Sequence, residues 1–486
     1  MACTTLLVGK KASYDGSTMI ARNDDGYFDE KKLIKLNPQD IKKVYKSKIG
    51  HLTIELPDNP LGYTLSPSID QKNGIWAACG INSLNVAMTA TETITSNPRV
   101  MGADPYVKYI KKSKNQSEVV GGIGEEDLVV LVLPYIHSAR EGVERLGSLL
   151  EQYGTYEPNG IAFSDKDEIW YLETIGGHHY IARRVPDKEY VIMPNQLGID
   201  KFDFEDAFSK QKNYMCSKDL KEFIEKNHLD LNQGDKFNPR WAFGSHTDAD
   251  HVYNTPRAWY MARYFNPTTY KWDGENADFT PESDNIPWSL VPEHKITVED
   301  VKYILSSYYQ GTEYNPYSQR DYAKKGLYRP IGISRTGVMA ILQIRGYAPK
   351  EIQAVEWICF GSNSFNAPIA LYTNVSKMPK YVSDVTLDVS TNNFYWMSRL
   401  IGVLADPHYG KALIHVERYQ NQLFNLSHEN LNKFDLEFEK SKDISMLEKA
   451  NEEICKKVKS DTQALVNKLM LVASEEMKNG YNRSDN

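Results

Sequence analysis

The N-terminal segment alternates between extended and turn-forming residues in a way that predicts a β-hairpin. Residues 4–8 (TTLLV) favour a strand, residues 14–17 (YDGS) have turn chemistry, and residues 18–22 return to an extended pattern. Antiparallel strands pair their distant ends. We therefore expect the end of the second strand, from Arg22 to Asp25, to lie beside Cys3.

Between residues 74 and 195 the hydrophobic pattern predicts strands, then two helices, then strands again. The strand-like segments are 74–82, 86–91, 168–173, 179–185 and 190–195, the last three as a meander, and the helical segments are 126–135 and 139–153. Strands and helices in separate runs are typical of a layered α+β fold, because a parallel α/β fold needs regular alternation.

The region that follows is irregular before strands return. Residues 201–295 contain many Asn, Asp, Pro and aromatic residues, and we expect one helix near residues 257–264. Thr297, with Asp300 three positions later, predicts the start of a helix that reaches about Tyr308. Strand-like patterns then occupy residues 331–345 and 354–374.

From about residue 393 the pattern is helical to the end of the chain. Ser445 and Glu448 resemble a capping box. Apolar residues from Leu447 to Val472 recur on one helical face. This pattern predicts an amphipathic helix that packs on the core or on another subunit.

Charge and hydropathy argue against two classes of partner. The 486 residues carry a net charge of −7 with a pI of about 5.9 and form no basic stripe, so we expect no nucleic acid partner. The best apolar run, residues 128–136, is too short to cross a bilayer, and the N-terminus lacks the basic start of a secretory signal. We therefore expect a cytoplasmic protein with no membrane partner.

The five cysteines are scattered and show none of the spacings typical of a metal site or a disulfide framework. Most are expected to be small buried residues, but Cys3 directly precedes a strand at the terminus. Amide hydrolysis needs a nucleophile, a proton acceptor and donors for the oxyanion. A cysteine that begins the mature chain supplies both a thiol and a free α-amine.

Several short motifs follow one another along the chain. They are CTT at 3–5, ARNDD at 21–25, GIN at 80–82, MPNQ at 193–196, YNTPRAW at 253–259, EW at 356–357 with FG at 360–361, and YW at 395–396 with LAD at 404–406. Together they resemble the dipeptidase A family of N-terminal-nucleophile (Ntn) hydrolases, which are relatives of choloylglycine hydrolase and penicillin V acylase. The resemblance covers nearly the whole chain.

The resemblance implies a fold and a division of the chain. The fold would be an α+β, four-layer αββα sandwich with a helical C-terminal region. Residues 1–378 would form the catalytic core, and residues 379–486 would form the mainly helical region packed on it.

The resemblance also implies the nucleophile and its neighbours. Cys3 would be the nucleophile and its own α-amine the base. Arg22 would favour the thiolate, and Asp25 would hold the new terminus in place. Asp24 competes with Asp25 for this role.

Three further residues are implied for the site. Asn82 and Asn195 match the asparagines that line the oxyanion site, where one donor stabilises the transition state by roughly 3–4 kcal/mol. Arg257 matches a later active-site arginine, and Arg240 competes with it.

The implied activity is hydrolysis of a broad range of dipeptides through an acyl-enzyme, with neither a metal nor another cofactor. The family is associated with self-cleavage of a leader, which here would be Met1-Ala2; if Ala2 remains, the proposed base is missing. The partners would be dipeptide substrates. The 31 tyrosines and the amphipathic tail also favour a homo-oligomer.

Alternative interpretations remain open. The related amidases act on bile-acid conjugates or penicillin-like amides. Residues 246–251 (HTDADH) offer four metal-binding side chains, as a metallopeptidase would need, although they match no standard motif. Residues 121–124 (GGIG) lack the lysine of a phosphate-binding loop, so a flexible turn is expected there. A non-catalytic scaffold would use the amphipathic tail as its interaction surface.

Overall fold

The computed structural model describes residues 3–26, 29–90, 92–234 and 236–477. The strands are β1 Thr4–Val8, β2 Thr18–Asp24, β3 Ile34–Leu36, β4 Val44–Lys46, β5 Thr53–Glu55, β6 Tyr63–Leu65, β7 Cys79–Ile81, β8 Ala87–Thr89, β9 Glu92–Thr93, β10 Asn159–Ser164, β11 Ile169–Ile175, β12 His179–Arg184, β13 Tyr190–Met193, β14 Tyr214–Cys216, β15 Ser289–Leu290, β16 Val338–Ile344, β17 Ala354–Phe360 and β18 Ile369–Tyr372.

The helices are α1 Pro98–Ala103, α2 Leu128–Val132, α3 Ala139–Tyr153, α4 Phe204–Ala207, α5 Leu220–Lys226, α6 Pro239–Phe243, α7 Asp248–Tyr253, α8 Thr255–Phe265, α9 Val298–Leu305, α10 Lys380–Ser383, α11 Phe394–Ala405, α12 Tyr409–Ser441 and α13 Met446–Glu475, with 3₁₀ turns at Pro38–Asp40 and Leu133–Tyr135. Within the described ranges, none of these helices is long and apolar enough to span a bilayer.

Sheet I contains the predicted N-terminal hairpin. Its strands run in the order β15-β13-β1-β2-β16-β17-β18, and neighbouring strands are antiparallel. β1 and β2 pair with Thr4 opposite Asn23 and Val8 opposite Met19, so the predicted hairpin is confirmed. Both strands are buried on both faces, which places the hairpin in the middle of the molecule.

Sheet II runs in the order β14-β12-β11-β10-β8-β7, and β9 also pairs with β10. The predicted meander is wrong at its third strand, because β13 crosses to sheet I and pairs with β1. The crossing is close at Gly9, where a Cβ atom would lie 2.6 Å from the carbonyl oxygens of Pro186 and Asp187. The Asp187 carbonyl also accepts a hydrogen bond from the Lys11 amide, which ties the connection to the end of β1.

The two faces of sheet II pack on different partners. In β10, Ile161 and Phe163 belong to the apolar cluster that includes α2 and α3, whereas Ala162 belongs to the cluster that includes sheet I. This alternation follows from the period of two along a strand. β8 and β10 contact β2. Helices and antiparallel sheets are thus both major components, and the α+β class is confirmed.

The C-terminal helices cover the edge of sheet I. α12 and α13 contact the edge strand β18, and the Asn451 side chain both accepts from the Tyr372 amide and donates to its carbonyl. Covering an edge in this way removes unpaired backbone groups from solvent. The predicted capping box at Ser445 is wrong, because Ser445 makes no side-chain cap and Glu448 instead accepts hydrogen bonds from Ser376.

Candidate active site

Cys3 lies immediately before β1 and is completely buried, with 0% of its surface exposed. The antiparallel pairing of β1 with β2 brings Arg22 beside it, and Nη2 of Arg22 lies 2.9 Å from the cysteine Sγ. A guanidinium at this distance favours the thiolate form of a cysteine, which is the nucleophilic form.

Arg22 is held by a buried ring of acceptors. Its Nη2 lies 2.7 Å from Oε1 of Glu125 and 3.5 Å from Oδ1 of Asp24, while Nη1 is 3.4 Å from the Ala78 carbonyl oxygen. Burial by itself would lower the pKa of Arg22, but the neighbouring Cys3, Asp24 and Glu125 raise it well above its usual value. Arg22 is therefore a permanent buried cation.

The two candidate aspartates occupy different positions. Residues 22 and 24 share one face of β2 because side chains alternate along a strand, and Oδ1 of Asp24 lies 3.9 Å from the Cys3 Sγ. Asp25 follows the end of the strand, and its carboxylate accepts hydrogen bonds from Arg329 (2.6 Å) and Thr336 (2.7 Å). Burial raises the pKa of Asp25 even though Arg329 opposes the shift. The aspartate that contacts the thiol through its carboxylate is thus Asp24, while the expected role of Asp25 in holding the terminal amine stays a prediction.

Lys31 is a member of this site that the sequence analysis missed. Its Nζ lies 3.0 Å from Oδ2 of Asp24 and 2.8 Å from Oδ2 of Asp29, and it also donates to Ser68 and to the Trp76 carbonyl. Burial would raise the pKa of Asp24, but Lys31 and Arg22 outweigh it and hold that pKa below its usual value. A lone lysine in an extended segment carries no sequence signal of such burial.

Glu125 is the second residue that the sequence analysis missed, and the signal for it was the glycine run before it. A Cβ atom on Gly122 would lie 2.4 Å from the Gly154 carbonyl oxygen, and one on Gly124 would lie 2.1 Å from the Tyr156 ring. The run is thus a close-packed segment rather than the expected flexible turn. It places the Glu125 carboxylate against Arg22 in the interior.

Arg257 ties the cysteine backbone to the rest of the site. Its Nη1 donates to the Cys3 carbonyl oxygen (2.5 Å) and to Thr4 (2.7 Å). Its Nη2 donates to Oδ1 of Asn195 (2.7 Å) and of Asn254 (2.8 Å), and its Nε donates to the Tyr253 carbonyl (2.7 Å). These contacts match the five N–H donors of a guanidinium.

The rival Arg240 has a separate set of partners. It donates to the backbone carbonyls of Gly198, Asp284 and Ile286. Of the two arginines, it is therefore Arg257 that the structure brings to Cys3.

Asn195 follows β13 and borders a cavity. Besides accepting from Arg257, it donates from Nδ2 to the Thr93 carbonyl at 2.9 Å. A cavity of about 500 Å³ is lined by Asn195, Asn254, Ser245 and Asp250 among others. This cavity reaches Asn195 and Asn254, which Arg257 links to Cys3, and it provides space for a small substrate.

The side chain of Asn82 makes its contacts within the fold, and its expected oxyanion role stays a prediction. Its Nδ2 donates to the carbonyls of Leu133 and Ile136 at 3.0 and 2.8 Å, and its Oδ1 accepts from the amides of Leu84 and Val86. Both amide hydrogens are therefore used inside the fold. The turn between β7 and β8 needs these bonds, which explains why an asparagine stands there.

The histidine-containing loop that suggested a metal has other partners. His246 and His251 both contact Asp284. Asp250 caps α7 through Thr247 and accepts a hydrogen bond from Asn254. Within the described ranges, the potential ligands of this loop do not gather into a group that could hold a metal ion.

Comparison with known proteins identifies the family of this chain. The model of Peptidase family C69 matches residues 2–422. A dipeptidase of Bifidobacterium longum and a probable dipeptidase A of Streptococcus pyogenes serotype M3 are each 49% identical to this chain over the full length of both proteins. A probable dipeptidase B of Lactococcus lactis is 44% identical over all of this chain and 98% of its own length. These matches confirm the resemblance that the motifs predicted, and the chain belongs to peptidase family C69.

Proposed function

We propose that this protein is a cysteine dipeptidase in which Cys3, made N-terminal by removal of Met1 and Ala2, attacks the carbonyl carbon of a dipeptide. The observation that carries the proposal is the 2.9 Å contact between the buried Arg22 guanidinium and the Cys3 sulfur. The names of the relatives support dipeptides as the substrate class.

The reaction is an acyl transfer in two stages. The α-amine of Cys3 accepts the thiol proton as the sulfur forms a bond to the carbonyl carbon, and it passes this proton to the departing amine as the C–N bond breaks. The C-terminal amino acid leaves and the N-terminal one remains as a thioester. Water, deprotonated by the same amine, then attacks the thioester, which releases the second amino acid and restores the thiol.

The remaining residues position these groups. Arg22 stabilises the thiolate, and Asp24 together with Lys31 fixes Arg22. Asp25 is the proposed acceptor for the new terminal amine, because it is the first residue after β2 and its carboxylate is buried. The ion pair with Arg329 holds that carboxylate in place. Arg257 orients the Cys3 carbonyl, and Asn195 beside it supplies a donor for the oxyanion.

We further propose that the fold is the four-layer αββα sandwich of Ntn hydrolases, with residues 1–378 as the catalytic core and residues 379–486 as the helical region. The support is the packing order. α3 contacts sheet II, sheet II contacts sheet I through β2, and α12 and α13 contact sheet I.

The proposal is tested by combining N-terminal sequencing with a dipeptide assay. Mature protein that begins at Cys3 and hydrolyses alanyl-alanine is the expected result, and Cys3→Ala is expected to be folded and inactive. Cys216→Ala is the matched control, since Cys216 is also buried but lies on an edge strand of sheet II. An active Cys3→Ala variant would overturn the mechanism. Activity only on penicillin V or a bile-acid conjugate would show that the substrates are amides of that kind and not dipeptides.

We also infer a cytoplasmic homo-oligomer. The C-terminal helices expose apolar side chains, including Val403 and Leu471, and apolar groups of this kind commonly lie between subunits. Sedimentation of the purified protein at several concentrations, and cell fractionation, test these two inferences.

A further inference from the structure

One oxygen of Glu125 is buried beside the nucleophile without a partner. Glu125 is 2% exposed, and its Oε1 accepts from Arg22, but its Oε2 has no hydrogen-bond partner. A buried polar oxygen without a hydrogen-bond partner is costly. A site that keeps such an oxygen is suited to a ligand that carries a hydrogen-bond donor.

The Glu125 carboxylate lies near the expected position of one hydrogen-bond donor of a peptide substrate, its α-amino group. The Cys3 sulfur and one carboxylate oxygen each of Asp24 and Glu125 lie within 4.8 Å of one another. In any peptide the α-nitrogen is about 2.5 Å from the carbonyl carbon of the same residue, by bond lengths and angle. An attacking sulfur stands about 3–3.5 Å from that carbon. These lengths allow the α-nitrogen of the residue under attack to come within hydrogen-bond distance of the two carboxylates when the substrate backbone is directed toward them.

The charges of the cluster call for a cation. Among the described residues the cluster contains the cations Lys31 and Arg22 and the carboxylates of Asp24, Asp29, Glu125 and Glu157. Oε1 of Glu157 accepts from the Glu125 amide at 2.6 Å. The excess of carboxylates in a buried region is relieved either by protonation or by a bound positive group. Burial and the neighbouring Glu125 raise the pKa of Glu157 to about 7.

We infer that Glu125, assisted by Glu157, binds the free α-ammonium group of the residue whose carbonyl Cys3 attacks. This inference rests on the proposed dipeptidase function and adds a specificity to it. The enzyme then selects substrates with an unblocked N-terminus, because an acylated or deaminated residue leaves the Glu125 oxygen unpaired. The negative charge of Asp24 also attracts the ammonium group, but its carboxylate already forms an ion pair with Lys31.

The test compares alanyl-alanine with N-propionyl-alanine, which has the same shape and lacks only the amine. For the native enzyme, we expect kcat/KM to favour alanyl-alanine by roughly 10²-fold or more, as expected for a charge-assisted hydrogen bond in a buried site. Glu125→Gln and Glu157→Gln are each expected to reduce this ratio at least about tenfold, mainly through KM for alanyl-alanine. The ratio is the readout because Glu125 also contacts Arg22, so its replacement slows both substrates.

Control variants make the outcome decisive. Glu144→Gln, at an exposed position of α3, is expected to keep the native ratio. If thermal melting shows that Glu125→Gln is unfolded, the ratio of the two kcat/KM values is measured in Glu157→Gln instead. A native ratio near one, or a ratio unchanged in the folded variants, overturns the inference while leaving the dipeptidase function intact. Native enzyme that hydrolyses neither compound overturns both.

Discussion

Arg22 and Cys3 are 19 positions apart in the chain, yet Nη2 of the arginine lies 2.9 Å from the sulfur of the cysteine in the interior. The antiparallel pairing of β1 and β2 produces this contact, because Thr4 faces Asn23 and the flanking residues follow in register. The same register places Asp24 near the sulfur. One hairpin therefore assembles the thiol, the cation that stabilises its anion and the carboxylate that holds the cation.

Removing the charge of Arg22 is expected to weaken the thiolate. In Arg22→Met, alkylation of Cys3 by iodoacetamide should require a higher pH, and kcat/KM for alanyl-alanine should fall by about 10²-fold or more. Arg22→Lys keeps a cation but not the planar fork, so a smaller loss is expected. The measurement is the pH dependence of alkylation, followed by mass spectrometry. An unchanged profile in folded Arg22→Met would contradict the proposed role.

The roles of Asp24 and Asp25 can be distinguished by replacing each aspartate with asparagine. Asp24→Asn removes a negative charge 3.9 Å from the sulfur, so alkylation of Cys3 should begin at a lower pH. The same change leaves Lys31 with one fewer ionic partner and is expected to cost about 3 kcal/mol of unfolding free energy. Asp25→Asn should instead slow removal of Met1-Ala2, because the acceptor for the new amine is weakened. Intact mass and urea unfolding distinguish the two variants, and identical behaviour would refute the division of roles.

Arg257 and Arg240 form a matched pair for testing the active-site arginine. Both are buried and both donate to several acceptors, but only Arg257 contacts Cys3 and Asn195 in the described structure. Lysine has three donors in place of five, so either Arg→Lys change is expected to destabilise the fold by about 1–3 kcal/mol. Arg257→Lys should also lower kcat by about 10²-fold. Equal kcat values for the two variants would argue against a specific role for Arg257.

Glu356 predicts a pH dependence of stability. Its carboxylate is fully buried against Thr64 and Cys79, and burial raises its pKa from 4.5 to about 7. Between these two values the folded protein holds a proton that the unfolded chain has lost, so stability falls as the pH rises from about 4.5 to 7. Glu356→Gln cannot ionise, and its stability relative to the native protein should increase over this range by up to about 3 kcal/mol. Urea unfolding at pH 5 and pH 8 measures the difference. A constant difference would exclude the raised pKa.

The sequence determined the parts of this structure that depend on neighbouring residues. The strands around the turn at residues 14–17 were predictable because strand and turn preferences are local. The start of α9 was predictable because Thr297 and Asp300 form a capping box across one helical turn. The motifs were sufficient to predict the family and to indicate Cys3 as the candidate nucleophile.

Only the tertiary structure decided which distant residues meet. The contact of Asp24 with the Cys3 sulfur depends on which face of β2 is turned toward Cys3, and one position along a strand reverses that face. The crossing of β13 to sheet I, the use of Asn82 within a turn, and the arrival of Lys31 and Glu125 at the site depend on contacts between segments far apart in the chain. Those contacts are set by packing and buried charge across the whole molecule, for which no local pattern of residues is diagnostic.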